Sequence, residues 1–111
     1  MNRVESLTQI ITFGKYREQA FTELAKFGFV FTDDNDDFVE ISDSILAAVL
    51  QKFISGCISE DDLEEWANFI ECRDDINCEK NEGYIYALAN PELMGAITTK
   101  NIHKMLAVLT N

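Results

Sequence analysis

The sequence predicts a mainly α fold, a small single-domain helical bundle of five to seven short helices over residues 1–111, with room for one β-hairpin near residues 29–41. Three observations carry this. Apolar residues make up 47% of the chain, and they recur at three- and four-residue spacing along most of it. Hydroxyl, Asp or Asn residues stand just ahead of several of these runs, where a helix needs a side-chain acceptor for its first amides. At 111 residues the chain is long enough to bury one core and too short for two, and it holds no internal repeat or low-complexity linker.

Leu7, Ile10 and Ile11 define a short first helix. Tyr16, Ala20, Leu24 and Phe27 keep helical spacing through a second, which Gly28 is placed to terminate; the apolar positions of both helices read as core. The stretch "FVFTDDNDDFVEIS" is ambiguous, because Phe29 to Phe31 and Phe38 to Ile41 have strand-like content on either side of an Asp/Asn turn. Ser42 or Asp43 caps a third helix whose Ile45, Leu46, Val49, Leu50 and Phe53 form one stripe, ending near Ser55 and Gly56. Ser59 with Asp62 matches a capping box, and Leu63, Trp66, Ala67 and Ile70 follow at i, i+3, i+4, i+7. Leu63, Trp66 and Ile70 are therefore assigned to the core. Asn77 to Asn81 is polar and read as loop, "GYIYALA" is a short helix, and Asn90 caps a turn that starts at Pro91 and stops at Gly95. Thr98 or Thr99 opens a last helix with Ile102, Met105, Leu106 and Leu109 on one face.

Charge is distributed unevenly. Residues 1–31 hold Arg3, Lys15, Arg17 and Lys26 against Glu5, Glu18 and Glu23, a balance of +1, and residues 83–111 hold Lys100 and Lys104 against Glu92, again +1. Residues 32–82 hold sixteen of the twenty acids and only Lys52, Arg73 and Lys80, a balance of −13. On the Ser59 helix the apolar stripe leaves Glu60, Asp61, Glu64, Glu65, Asn68 and Glu71 for the outer surface. Glu60 with Glu64 and Asp61 with Glu65 are like charges one turn apart, each pair costing ~0.2–0.5 kcal/mol. The helix dipole offsets this only within the first turn. An acidic face improves solubility, but concentration of charge in one half of the chain suits a second role. A one-signed field speeds association with an oppositely charged protein and repels nucleic acid and anionic membrane.

The sequence gives little support to chemistry. Cys57, Cys72 and Cys78 are an odd set without CxxC spacing, and the only histidine, His103, lies far along the chain, so reduced thiols are expected and a zinc site is not. From Asp33, an EF-hand reading places Asp33, Asn35 and Asp37 at loop positions 1, 3 and 5. It fails at Phe38, where glycine is needed, and at Ser44, where glutamate is needed. No nucleophile with a base and no glycine-rich phosphate loop is found, so no enzyme activity, cofactor or metal is expected. Glu5 interrupts the first apolar stretch, and the longest apolar run, "ILAAVL" at Ile45 to Leu50, is too short to span a bilayer. A cytoplasmic protein is expected.

"DSI" at Asp43 to Ile45, opening a helix in a small acidic protein, resembles the phosphopantetheine attachment motif of acyl carrier proteins, with Ser44 at the attachment position. Leu46 follows where that family has an acidic residue. A second resemblance covers about residues 53–98. There "FISGCISEDDLEEWANFIECRDDI", followed by "ALANPELMGAIT", looks like small bacterial immunity proteins encoded beside polymorphic or contact-dependent growth inhibition toxins. That resemblance implies a cytosolic protein that binds one toxin domain delivered by a neighbouring cell and covers its active site.

Charge supplies the sign of the partner and the resemblance its kind. Enzymes that cleave RNA bind a polyanion and are basic around the active site. The expected function is binding and neutralisation of a basic nuclease domain, a ribonuclease in particular, by a monomer in a one-to-one complex. The expected contact residues are Asp33, Asp34, Asp36 and Asp37 on the loop and Asp61, Glu64, Glu65, Asp74 and Asp75 on or after the Trp66 helix. They are chosen by charge and expected exposure, and the resemblance carries no binding residues over. The alternatives are an acyl carrier-like protein modified at Ser44 and an acidic nucleic-acid mimic.

Overall fold

The computed structural model describes residues 2–26 and 39–110. These form seven α-helices, α1 (Arg3–Ile11), α2 (Arg17–Ala25), α3 (Asp43–Ile54), α4 (Glu60–Glu71), α5 (Glu82–Ala89), α6 (Pro91–Met94) and α7 (Thr99–Leu109). Two short strands, β1 (Val39–Glu40) and β2 (Ile76–Asn77), and a 3-10 turn at Glu79–Asn81 complete the order.

Local chemistry explains four of the seven helix starts and the end of α3. Asn2 and Glu5 form a capping box on α1, Asn2 Oδ1 accepting the Glu5 amide at 2.7 Å. Ser42 Oγ accepts the Ile45 amide at 3.1 Å to start α3, and Thr98 Oγ1 accepts that of Asn101 at 3.2 Å to start α7. Ser59 and Asp62 make the expected box on α4, at 3.1 Å and 2.9 Å. At the end of α3 the Gly56 amide donates to the Phe53 carbonyl and the Cys57 amide to that of Lys52, a Schellman motif with Gly56 at φ +83°.

Three helix pairs, α1 with α2, α4 with α5 and α3 with α7, pack around one core. Leu7, Ile10, Leu46, Leu50, Leu63, Trp66, Ile70, Ile85 and Ile102 are among its buried side chains. Trp66 does more than fill space. Its Nε1 donates to the Ile11 carbonyl at 2.9 Å, satisfying one of the four carbonyls that the end of α1 leaves without a helical partner. The centre of α4 is thereby fastened to the end of α1.

Four details differ from the sequence reading. Val39 and Glu40 are extended, as their composition suggests, but they pair in parallel with Ile76 and Asn77; the other arm of the expected hairpin, near Phe29 to Phe31, lies outside the described residues. Asn77 to Asn81 is therefore not plain loop: Asn77 belongs to β2, and Asn81 is buried, its Nδ2 donating to the Ile41 carbonyl at 3.0 Å. A two-residue strand is too short to show periodicity, so neither strand pairing nor partner is legible beforehand. Asn90 holds the N-cap position of α6 ahead of Pro91, and its carbonyl accepts the Leu93 and Met94 amides, but its side chain makes no capping bond there. Its Nδ2 donates backward to the Tyr86 carbonyl at 2.9 Å, so that the side chain closes α5. Tyr16, placed in the core by spacing, is 51% exposed, because α2 begins only at Arg17 and the Tyr16 amide is held by Gln9 Oε1 at 3.0 Å. Phe27 and Gly28, the expected end of α2, lie outside the described residues; the helix itself ends at Ala25.

Candidate partner-binding surface

The surface begins from the inner face of α4. Leu63, Trp66, Ala67 and Ile70 are all buried, and with 3.6 residues per turn this fixes where every other residue of the helix stands. Asp61 and Asn68 occupy the crest, with Glu65 at its edge toward α2, and all three are exposed. Asp62, Glu65 and Phe69 line the flank toward α2, where Phe21 meets Phe69 edge to face at 5.6 Å. Glu64 and Glu71 line the opposite flank toward α5; Glu64 is half-buried, and the charge of Glu71 reaches Cys78. Among the described residues no ion pair engages Asp61, Glu64 or Glu65. Asp62 is held below the usual carboxylate range, first by the Ser59 backbone amide, then by the Ser59 hydroxyl, with Arg17 adding to it. Its charge is used within the fold.

Asp74 and Asp75, adjacent in sequence, have different surroundings. Asp74 is exposed. Asp75 is 17% exposed at its side chain and accepts two hydrogen bonds from Arg73, at 2.8 Å and 2.7 Å, with Arg3 Nε 3.8 Å away. Burial works to raise its pKa, but the Arg73 bonds and the two guanidinium charges together hold it below the usual range. Arg73 is raised in turn, through its bonds to Asp75. Asp75 is thus a bridge between the end of α4 and the start of α1, and its charge is already matched. Asp33, Asp34, Asp36 and Asp37 lie outside the described residues. Of the nine expected contact residues, Asp61, Glu64 and Glu65 share α4, and Asp74 follows just beyond its end.

Beside the acidic crest the structure places a group that spacing did not reveal. The end of α1 turns through a second Schellman motif, in which the Phe13 amide donates to the Ile10 carbonyl at 3.3 Å and the Gly14 amide to that of Gln9 at 2.8 Å. The left-handed position of this motif, normally glycine, is Phe13 at φ 51°. Gly14 follows, and there a Cβ would fall 2.0 Å from Gln9 Oε1. The Arg17 guanidinium lies over the Phe13 ring at 4.5 Å and the Phe21 ring at 4.9 Å. Lys15 Nζ stands 5.7 Å from the centre of Tyr16, and Arg73 lies 5.7 Å from that of Phe69. Burial lowers the pKa of Arg17, against the opposing charges of Asp62, Glu65 and Glu18. Phe13, Arg17, Phe21, Phe69 and Arg73 thus form a continuous row of rings and cations along the α2 side of α4, while Lys15 and Tyr16 pair with each other on the turn. Its signal in the sequence is "FGKYREQAF", a basic and aromatic cluster directly after a helix end, hidden because Tyr16 and Ala20 also satisfy helical spacing.

Other chemistry finds less footing. Cys57 and Cys72 are exposed and Cys78 half-buried, all three as free thiols; burial, then the charge of Glu82, pushes Cys78 up. His103 and Ser44 are exposed, Ser44 standing behind the capping Ser42 in the first turn of α3. Among the described residues no group of His, Cys, Asp and Glu is arranged to hold a metal ion, and no helix is long and apolar enough to cross a membrane. A groove of about 230 Å³ between α5, α6 and α7, lined by Leu88, Met94, Ile97 and Met105, falls short of the roughly 300–1,000 Å³ usual for small-molecule sites.

Comparison with protein-family models, with curated proteins and with solved structures finds no match to the chain.

Proposed function

We propose that this protein is an immunity protein that neutralises a basic toxin domain, a nuclease and in particular a ribonuclease, by laying the acidic side of α4 over its active site. The observation that carries the reading is the set of carboxylates at Asp61, Glu64 and Glu65, which the core does not require and which enter no ion pair among the described residues, Glu65 alone having a cation, Arg17, near enough to feel its charge. Carboxylates kept on one side of a helix at a cost in mutual repulsion suit a partner that supplies the missing positive charge. A nuclease groove that accepts a phosphate backbone has that charge. The likeness of residues 53–98 to immunity proteins of contact-dependent growth inhibition systems points the same way.

The inhibition is occlusion. Acidic side chains occupy the place of the substrate's phosphates and exclude the substrate, with no bond made or broken. The protein acts in the cytoplasm as a monomer, one copy to each toxin domain. The test is to identify a neighbouring gene that encodes a toxin domain and to titrate that domain with the purified protein in an RNA-cleavage assay. Cleavage should cease at one molar equivalent with a complex of both chains on size exclusion. Undiminished cleavage at a large molar excess would contradict the reading.

A further inference from the structure

We propose that the groove between α5, α6 and α7 docks a second protein partner, of opposite charge to the one proposed for α4: an acidic amphipathic helix that sets an apolar side chain between Met94 and Met105 and brings carboxylates to Lys104 and Lys100. Met94, Ala96, Ile97 and Met105 are among the walls of the groove, Asn101 is its one polar side chain, and nothing charged lines it. Its volume of about 230 Å³ is small for a metabolite but suits an apolar side chain presented by a larger partner.

The groove stands ready in the free protein. Asn101 Nδ2 donates to the Ala96 carbonyl at 2.8 Å, while the Asn101 amide donates to the Thr98 cap, so the link between α6 and α7 is held in place. Gly95 turns the chain in that link at φ 114°, a conformation that other residues avoid. Ordering costs are thereby met before binding. Met94 remains 55% exposed. Val108, one helical turn beyond Lys104 and Met105, is 63% exposed and continues the apolar rim. Methionine side chains are well able to repack around an incoming group.

Charge names the occupant. α7 holds no carboxylate, and its Lys100 and Lys104 are exposed, one turn apart, and in no ion pair among the described residues. Lys100 stands in the first turn, where the helix dipole favours a carboxylate, and it repels Lys104. Lys104 lies one turn from Asn101 on one side and from Val108 on the other, which puts it at the rim of the groove. Glu92, the one carboxylate of residues 83–111, is two positions from Met94 on α6 and does not share its face. The net charge of −11 comes from residues 32–82, and physiological salt largely limits its reach to about 8 Å. A second copy fits worse. Two such grooves face to face would set lysine against lysine, and the α4 crest has no apolar side chain to insert.

The experiment titrates the full chain into a fluorescein-labelled peptide with leucines at helical spacing and glutamates at its other positions, read by fluorescence anisotropy, beside the same peptide with glutamines in place of the glutamates. The glutamate peptide should bind saturably and about tenfold more tightly than the glutamine peptide, and added salt should erase the difference. Lys100→Glu/Lys104→Glu should abolish the preference. Met94→Asp, at an exposed position, should weaken the glutamate peptide about tenfold or more with the melting curve close to wild type. No saturable binding of the glutamate peptide, equal binding of the two peptides, or binding that Met94→Asp leaves unchanged would each overturn the proposal. A free protein that sediments as a dimer and is returned to monomer by Met94→Asp would assign the groove to a second copy and overturn it as well.

Discussion

Helices α4 and α7 are built alike and face the solvent differently. Each follows a hydroxyl cap, Ser59 or Thr98, and each is anchored by apolar residues one turn apart, Leu63, Trp66 and Ile70 in one and Ile102 and Leu106 in the other. Their outer faces have opposite signs. α4 shows Asp61, Glu64, Glu65 and Glu71, whereas α7 shows Lys100 and Lys104, with His103 beside them. Folding explains the inner halves by one rule and leaves the outer halves free. An outer face that accumulates repelling charge without need from the core is the feature on which the proposed function rests.

The comparison breaks first on the inside. Trp66→Ala should lower stability by about 3–5 kcal/mol, read by chemical denaturation, since it opens a cavity and leaves the Ile11 carbonyl without its donor. Leu106→Ala on α7, at a site 6% exposed, should cost about 2–4 kcal/mol. Both effects belong to the core and should reach the partner only through unfolding. Trp66→Phe removes the hydrogen bond with a smaller cavity than Trp66→Ala leaves. It keeps most of the burial and should cost about 1–3 kcal/mol for the unpaired carbonyl.

Smaller and more specific is Asp75→Asn, which removes the carboxylate between Arg73 and Arg3. Both guanidinium groups are partly solvated, so the expected loss is about 1 kcal/mol at neutral pH. The folded pKa of Asp75 is depressed. Its contribution is therefore complete above the unfolded value of about 3.9 and is lost as pH falls through the lower folded value. Wild type and Asp75→Asn should converge in acid and separate above it, measured as unfolding free energy against pH.

The smallest effect on stability, and the sharpest contrast, comes from the outer faces. Glu64→Lys/Glu65→Lys on α4 and Lys100→Glu/Lys104→Glu on α7 should each leave unfolding free energy within about 0.5 kcal/mol of wild type. Only the first should weaken toxin binding. Equal losses from both would mean that total charge, and not the α4 surface, governs association.

The helices were legible in the sequence wherever apolar spacing and a capping residue agreed, as at Ser42, Ser59 and Thr98. What escaped depends on contacts distant in the chain. The parallel pairing of Val39 with Ile76 is one such contact, and the Trp66 bond to Ile11 is another, which turned an ordinary core tryptophan into the fastening between α4 and α1. The acidic surface was legible as charge but not as geometry: Asp75 is chemically identical to Asp61 in the sequence and differs only because Arg73 and Arg3 meet it. Tyr16 shows the opposite error. Its spacing is that of a buried residue, but a turn held by Gln9 places it outside.

The central proposal is that the α4 carboxylates receive a basic partner, and it is tested most directly by the salt dependence of the association rate with a basic toxin domain encoded beside this protein, should its gene have such a neighbour. Wild type should associate rapidly at low salt and slow steeply as ionic strength rises, while Glu64→Lys/Glu65→Lys should associate slowly and with a much flatter dependence. Identical rates and slopes for the two proteins would contradict the account.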